Sequence, residues 1–398
     1  MWIVISVVCC IAGSPVWAGD EDNLGVDIHM FASQGFIKST SGTNWPISGT
    51  ESGTFQFNEF GLNLSKQINP KLRVGIQLFG QARGDYASDK PTLDWAYVDY
   101  RARDYFGLRA GKVKLPLGQY NETRDTDSLR TFVLLPQGTY NDRQREITIA
   151  QTGVAVYGNR RVASLGRFAY QVHVGSMQID PDGGVAKNFQ SVIPINTTSV
   201  DTKTVYAGNF EWSTPIKGLK LSTSGLAWEF TINATPAPLM TQLYKVPVGT
   251  SLQIPVTGLR RGYISAEYTW RNLVLASEYM RQHFNMHLLG MTVPKQSDSY
   301  YFSGAYRFTD KVEAGAYYNA AYANNRDRDG LTYKAGGLYF PYNTWRKDFA
   351  TTLRVDPMKH WLVKFEVHRI DGTYEMIPQN PNNKQYWWLV AAKTTFTF

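Results

Sequence analysis

Apolar and polar residues alternate by twos along most of this chain. Trp361, Val363, Phe365 and Val367 alternate with Leu362, Lys364, Glu366 and His368, and Phe60, Leu62 and Leu64 alternate with Glu59, Gly61, Asn63 and Ser65. Leu72, Val74, Ile76 and Leu78 alternate with Arg73, Gly75 and Gln77. In the last stretch Tyr386, Trp388, Val390, Ala392, Thr394, Phe396 and Phe398 are mostly apolar and face Gln385, Lys393, Thr395 and Thr397 across the pattern. A period of two sends successive side chains to opposite faces of an extended strand. Helical spacing is almost absent. The pattern predicts sixteen strands, at about 26–38, 54–67, 71–84, 92–103, 107–115, 146–157, 166–178, 203–214, 219–231, 259–271, 272–284, 298–308, 311–325, 346–356, 358–371 and 384–398.

The joins between these segments are of two kinds. After even-numbered segments they are short: Ile68-Asn69-Pro70, Asp104-Tyr105-Phe106, Pro215-Ile216-Lys217-Gly218, Thr309-Asp310 and Asp356-Pro357-Met358, with Asn159 to Leu165 the one longer case. After odd-numbered segments they are long and polar, at 39–53, 116–145, 179–202, 232–258, 285–297, 326–345 and 372–383. Tight turns at one end and loops at the other, over an even count, describe an all-β fold: a 16-stranded antiparallel up-and-down transmembrane β-barrel with periplasmic turns and external loops. A secreted sandwich gives no reason for such alternation, and its second face would meet bulk water. Trp212, Phe230, Tyr268, Trp270, Tyr300, Phe302, Tyr306, Phe308, Trp361, Trp388, Phe396 and Phe398 fall near predicted strand ends, where interfacial girdles place aromatic rings.

Composition adds exclusions. Of 398 residues 43% are apolar, yet beyond the first residues no apolar run reaches the roughly 18 that a spanning helix needs. The net charge of +8 is scattered, without the basic block of a nucleic-acid binder. Residues 1–18 resemble a signal peptide without its basic start: Ile3 to Ala12 is apolar, and Val16-Trp17-Ala18 offers a cleavage site before Gly19. Residues 19–398 are then the barrel. Both cysteines, Cys9 and Cys10, lie in the leader, so the exported chain is expected to hold its fold by closed hydrogen bonding and not by disulfides.

Candidate chemistry concentrates between Pro116 and Arg145. Leu129, Phe132, Val133, Leu134 and Leu135 are apolar groups that a solvated loop does not need, so this segment is expected to fold into the lumen as a constriction loop. Its Glu122, Asp125, Asp127 and Asp142 balance Arg124, Arg130, Arg143 and Arg145, with Lys112 and Lys114 just before it. Charges of opposite sign facing one another across a constriction set up a transverse field, and an excess of one sign selects ions. The lumen face of the strands would carry Arg73, Arg83, Arg101, Arg103, Arg261, Arg307, Arg354 and Lys364 with Glu59, Asp99, Glu211, Glu267, Glu313 and Glu366.

Other constellations are weaker. Asn325, Asp327, Asp329 and Gly330 match half of a calcium loop, but Gly336 stands where the bidentate Glu belongs, so turn chemistry explains them. His283 and His287 are four apart where a strand is expected to run into a loop, without a third ligand. His173 or His368 could join a hydrolytic triad only with a partner Ser on the same wall. No metal, cofactor or catalytic group is expected, and the length leaves no room for 22 strands and a plug.

The run Gly111-Lys112-Val113-Lys114-Leu115-Pro116-Leu117-Gly118, followed by Tyr120 to Asp125, Leu135-Pro136-Gln137 and Tyr140, resembles the fifth strand and constriction loop of proteobacterial porins related to the phosphate-selective group. The motif spans about 40 residues, and the strand plan covers the rest. The resemblance implies a homotrimer in the outer membrane of a Gram-negative bacterium, with passive diffusion of small hydrophilic solutes and the loop inside each pore. The mixed lumen charges depart from the arginine ladders of phosphate-selective members. The ending at Phe396 and Phe398 resembles the signal read by the barrel assembly machinery. The expected function is a porin embedded in outer-membrane lipid with weak anion preference. The alternative is a barrel enzyme or adhesin with a sealed lumen.

Overall fold

The computed structural model describes residues 25–190, 193–332, 340–376 and 382–398. The leader at 1–18, with Cys9 and Cys10, lies outside the described residues, as does Gly336. Seventeen strand segments are present: β1 (Val26–Ser39), β2 (Phe57–Asn69), β3 (Leu72–Arg83), β4 (Thr92–Arg103), β5 (Phe106–Lys114), β6 (Ala150–Val162), β7 (Gly166–Ser176), β8 (Ile195–Thr202), β9 (Val205–Ser213), β10 (Leu219–Pro236), β11 (Leu252–Trp270), β12 (Leu273–Leu288), β13 (Met291–Thr309), β14 (Val312–Tyr322), β15 (Trp345–Met358), β16 (Trp361–Asp371) and β17 (Tyr386–Thr397). Segments β8 and β9 lie end to end along β10, with Thr202 opposite Phe230 and Tyr206 opposite Ala227, and together make one stave. Every stave is antiparallel to its neighbours, and β1 pairs with both β2 and β17, which closes a barrel of sixteen staves.

Closure matters because a strand edge in hydrocarbon would leave N–H and C=O groups without partners. The two faces divide as the period of two requires. On β17 Tyr386, Trp388, Val390 and Phe396 point outward and are exposed, whereas Trp387, Leu389, Ala391, Lys393 and Thr395 point inward and are buried. Outward Val98, Tyr100, Leu108, Val172, Ile264, Phe302, Leu353 and Phe365 continue an apolar belt. A closed barrel with an apolar outer belt and a polar interior is built for the Gram-negative outer membrane.

Several expectations are corrected. Strands β10 to β13 run higher than predicted on the loop side, and the expected loop at 285–297 is a hairpin turning at Leu289 and Gly290, both with positive φ, as a two-residue hairpin turn requires. There the apolar positions change face, so the outward-apolar pattern that marks a membrane strand stops before the strand does. His283 and His287 therefore lie within β12, on its outer face. The stave expected at 203–214 begins at Ile195, and β6 begins at Ala150 because 142–147 forms a short 3-10 turn. Phe230 is a buried inward residue and not part of an outer girdle. Two seven-residue helices, α1 (Gly184–Gln190) and α2 (Pro238–Tyr244), sit in loops too short to show helical spacing in the sequence.

Candidate functional site

The segment between β5 and β6 enters the barrel and crosses it. Leu115 N–H donates to Ile149 O at 2.9 Å, which pinches the neck of the loop. Gly118 then turns the chain inward at φ +60, where a Cβ would lie 2.4 Å from the Tyr140 hydroxyl, so only glycine fits. Three consecutive amides fasten this corner: Gly118 N–H donates to Ser224 Oγ (2.8 Å), Gln119 N–H to Glu278 Oε2 (2.9 Å) and to Tyr140 Oη (2.7 Å), and Tyr120 N–H to Tyr140 Oη (3.0 Å).

The far wall receives the middle of the segment. Asp127, with no exposed side-chain surface, meets Lys364 (3.0 Å), Arg130 (3.1 Å), Lys393 (3.4 Å) and the Thr395 hydroxyl (2.7 Å). Glu59 accepts from Arg83 (3.0 Å) and from Lys393. Val133 and Leu134 donate their amides to Glu366 at 2.7 and 2.8 Å, and Gly138 donates to Asn319 at 3.0 Å. Phe132 meets Tyr317 edge-on, and Val133 and Leu134 join Trp45, Phe57, Trp387 and Leu389 in a buried apolar cluster. The returning limb is held by Arg143, which donates to Pro46 O and Glu375 O, and by Arg145, paired with Asp94 (2.7 Å) and Asp125 (2.9 Å).

Electrostatics follows from burial and pairing. Burial opposes ionisation of Asp125, but Arg145, Lys114 and Arg124 outweigh it and hold its carboxyl well below the usual range. Asp127 is likewise depressed by Lys364, Lys393 and Arg130, and Asp142 by Arg83, Arg124 and Arg130, in each case against desolvation. Glu146 goes the other way: burial pushes its carboxyl up.

The crossing segment divides the lumen. On the turn side lies a chamber of about 590 Å³ lined by Arg73, Gln77, Arg109, Lys114, Glu122 and Asp127 among others. Higher on β3 a separate small space of about 50 Å³ lies between Gln81 and Arg83 on one side and Asp142, Arg143, Arg145 and Glu146 on the other. Above it opens a loop-side vestibule of about 300 Å³ at Asn44, Ser48, Glu51, Asp85, Tyr86 and Arg143.

The structure brings the sequence candidates together unevenly. Of the constriction residues, Arg143 and Arg145 line this small space, and Arg124 reaches it through Asp142 at 2.8 Å. Lys114 and Glu122 line the turn-side chamber, and Asp125, Asp127 and Arg130 are spent on fastening the loop. Lys112 donates to Leu93 O and has no carboxylate partner among the described residues. Leu129 is 65% exposed and does not pack. Of the wall residues, Arg83 borders the same small space, Arg73 bonds Ser65, Asp99 pairs with Arg109 at 2.9 Å, and Arg354 donates to Ser128 O. Arg101 and Arg103 stand exposed at the turn-side mouth, and Arg307 pairs there with Asp356 and Glu313. Lys364 and Glu366 lie buried beneath the loop.

Sequence reasoning missed Asp94, Arg109, Glu278 and Asp348, and it named Tyr140 and Lys393 without giving either a role at the site. Their parity was legible, but the partner each would meet across the lumen was not. His368 places Nδ1 3.0 Å from Asp348 and Nε2 3.0 Å from Glu366, an arrangement only the doubly protonated ring satisfies, so it has no free nitrogen to activate a nucleophile. His287 lies between Thr257 and Thr292, and His173 Nε2 meets Gln171. Asp327 accepts from the amides of Leu331 and Thr332, as turn chemistry expects. Phe396 stacks on Trp361, and the Phe398 amide donates to Met30 O at 2.8 Å.

No family model and no curated protein matches the chain. Solved structures do. The outer-membrane expressed OmpT of Vibrio cholerae matches with TM-score 0.57 at 9% identity over 94% of this chain and 97% of that one. The outer membrane channel DcaP of Acinetobacter baumannii gives TM-score 0.57 at 11% identity, covering 96% of this chain and all of its own. An anion-selective porin from Comamonas acidovorans gives 0.56 at 10% identity, covering 94% and 99%. The likeness is one of fold: these neighbours, porins among them, share the closed outer-membrane barrel.

Proposed function

We propose that the chain is a porin: a passive diffusion channel of the outer membrane for small hydrophilic solutes and ions, with weak preference for anions. The observation that carries this reading is the segment that crosses the lumen, and the space of about 50 Å³ that it leaves beside β3, with a larger space on either side, is read as the waist of the channel. Arg83, Arg143 and Arg145 border it together with Asp142 and Glu146. In a confined space with low-dielectric walls such a basic excess favours anions, while the two carboxylates keep the preference weak. The names of the channel DcaP and of an anion-selective porin among the fold neighbours agree with it.

The kinship with the phosphate-selective group, the homotrimer and the reading of Phe396 and Phe398 by the assembly machinery belong to the same proposal and rest on the sequence resemblance. The sealed-lumen alternative has one specific support: the crossing segment closes the β13 to β17 side of the lumen with buried ion pairs. Single-channel recording of the purified protein in planar bilayers separates the two. Ohmic steps, with a reversal potential displaced toward that of chloride in a KCl gradient, are expected. A silent bilayer would favour the alternative, and a clear cation preference would overturn the selectivity.

A further inference from the structure

Beside the loop-side vestibule lies a second space of different chemistry. A cavity of about 260 Å³ is walled by Phe230, Val256, Leu259, Met286, Val185 and Phe189, from β10, β11, β12 and α1. It exceeds the about 150 Å³ that accepts benzene in an engineered apolar cavity. An apolar wall of this kind does nothing for a hydrated ion, which loses hydration against it.

Two cations reach the cavity. Arg261, 5% exposed, bonds the amide oxygens of Gln282 and Gln144 and the Tyr263 hydroxyl, all neutral, and no carboxylate lies within ion-pair distance of it among the described residues. Lys295 lines the same space, likewise without an ion pair. The carboxylate in the lining, Glu375, is taken by Arg346 at 2.6 Å and Asn141 at 2.7 Å. A buried guanidinium with neutral partners keeps part of its desolvation cost, which an incoming anion offsets.

We infer that this cavity is a binding pocket for an amphipathic anion, with the apolar body against Phe230, Val256, Leu259 and Met286 and the anionic head on Arg261 and Lys295. Its part in uptake rests on the channel reading, but its ligand class does not. The pocket would hold such solutes beside the waist and raise their concentration at the entrance.

The test is calorimetry on the full chain in lipid nanodiscs, with 3-phenylpropionate, 3-phenylpropylamine and propionate as probes. Saturable binding of phenylpropionate is expected, at least about tenfold tighter than that of the amine or of propionate. Lys295→Gln and Arg261→Gln are each expected to weaken it severalfold while leaving circular dichroism unchanged. Because Arg261 is buried and Lys295 is only partly so, Lys295→Gln keeps the test usable if the Arg261 variant does not fold. Equal binding of amine and carboxylate, no saturable heat with phenylpropionate, or full affinity in Lys295→Gln would each overturn the assignment. Bilayer recordings on the same preparation separate the two proposals: binding without conductance sinks the channel and keeps the pocket, and conductance without binding does the reverse.

Discussion

The turn-side chamber and the loop-side cavity lie within one barrel and differ in kind. The first is lined by Arg73, Gln77, Arg109, Lys114 and Glu122, and its outer wall carries the apolar belt. The second is lined by Phe230, Val256, Leu259 and Met286, and on β10 the outward positions are Glu229, Thr231 and Asn233. Strand β10 makes the inversion without a slip in parity: its inward residues are Ser222 and Ser224 below, then Leu226, Trp228, Phe230 and Ile232 above. Strand β11 adds a bulge between Thr257 and Arg260, so Ile254 and Val256 above the slip and Leu259 and Arg261 below it all face inward. Lipid demands an apolar outside and leaves the inside to water. Beyond the lipid the outside is wet, so apolar side chains gain only by turning inward and packing on one another.

The crossing segment keeps the two regions apart, and removing it gives the largest expected effect. Deletion of 119–142 should merge the chambers and raise single-channel conductance severalfold, and an unchanged conductance would mean that the waist does not limit flow. Next in size is loss of the Asp127 hub. Asp127→Asn leaves Lys364 buried without a carboxylate and Lys393 with Glu59 alone, a change that costs about 3–5 kcal/mol where a buried pair is broken. It should lower the thermal unfolding midpoint followed by circular dichroism and add flicker to the open-channel current.

The smallest effect concerns pH. The folded-state carboxyls of Asp125, Asp127 and Asp142 are depressed, so their anchoring is fully present above the usual carboxylate value of about 3.9 and is lost only as pH falls through their lower folded values. Glu146 is raised, so it loses its charge first as pH falls. Anion preference should therefore rise modestly as pH falls from 7 toward the carboxylate range, at constant conductance. Glu146→Gln should show the low-pH preference already at pH 7 and no further change. A widening of the pore in that interval would mean that the anchors are weaker than their pairing implies.

Much of this was legible in the chain. The period of two gave the staves, and the alternation of short and long joins gave their up-and-down order. Leu129 and Phe132 to Leu135 announced a loop with apolar side chains to bury, and Phe132, Val133, Leu134 and Leu135 do bury them. Leu129 carries the same signal and stays exposed, because membership of an apolar run does not say which wall a side chain will reach. Above the membrane the reading failed at Phe230 and at 285–297, since the same alternation fits apolar-out in lipid and apolar-in in water.

What the sequence determined by itself is periodic and local: which residues share a face, where the chain turns, and that one long loop could not remain in solvent. Only the tertiary structure decided which face looks inward at each height, and which carboxylate each inward cation meets. Both depend on what stands across the lumen. Asp127 and Lys364 are 237 residues apart, yet they lie 3.0 Å from each other because closing a sheet into a barrel brings opposite walls within reach of one crossing loop.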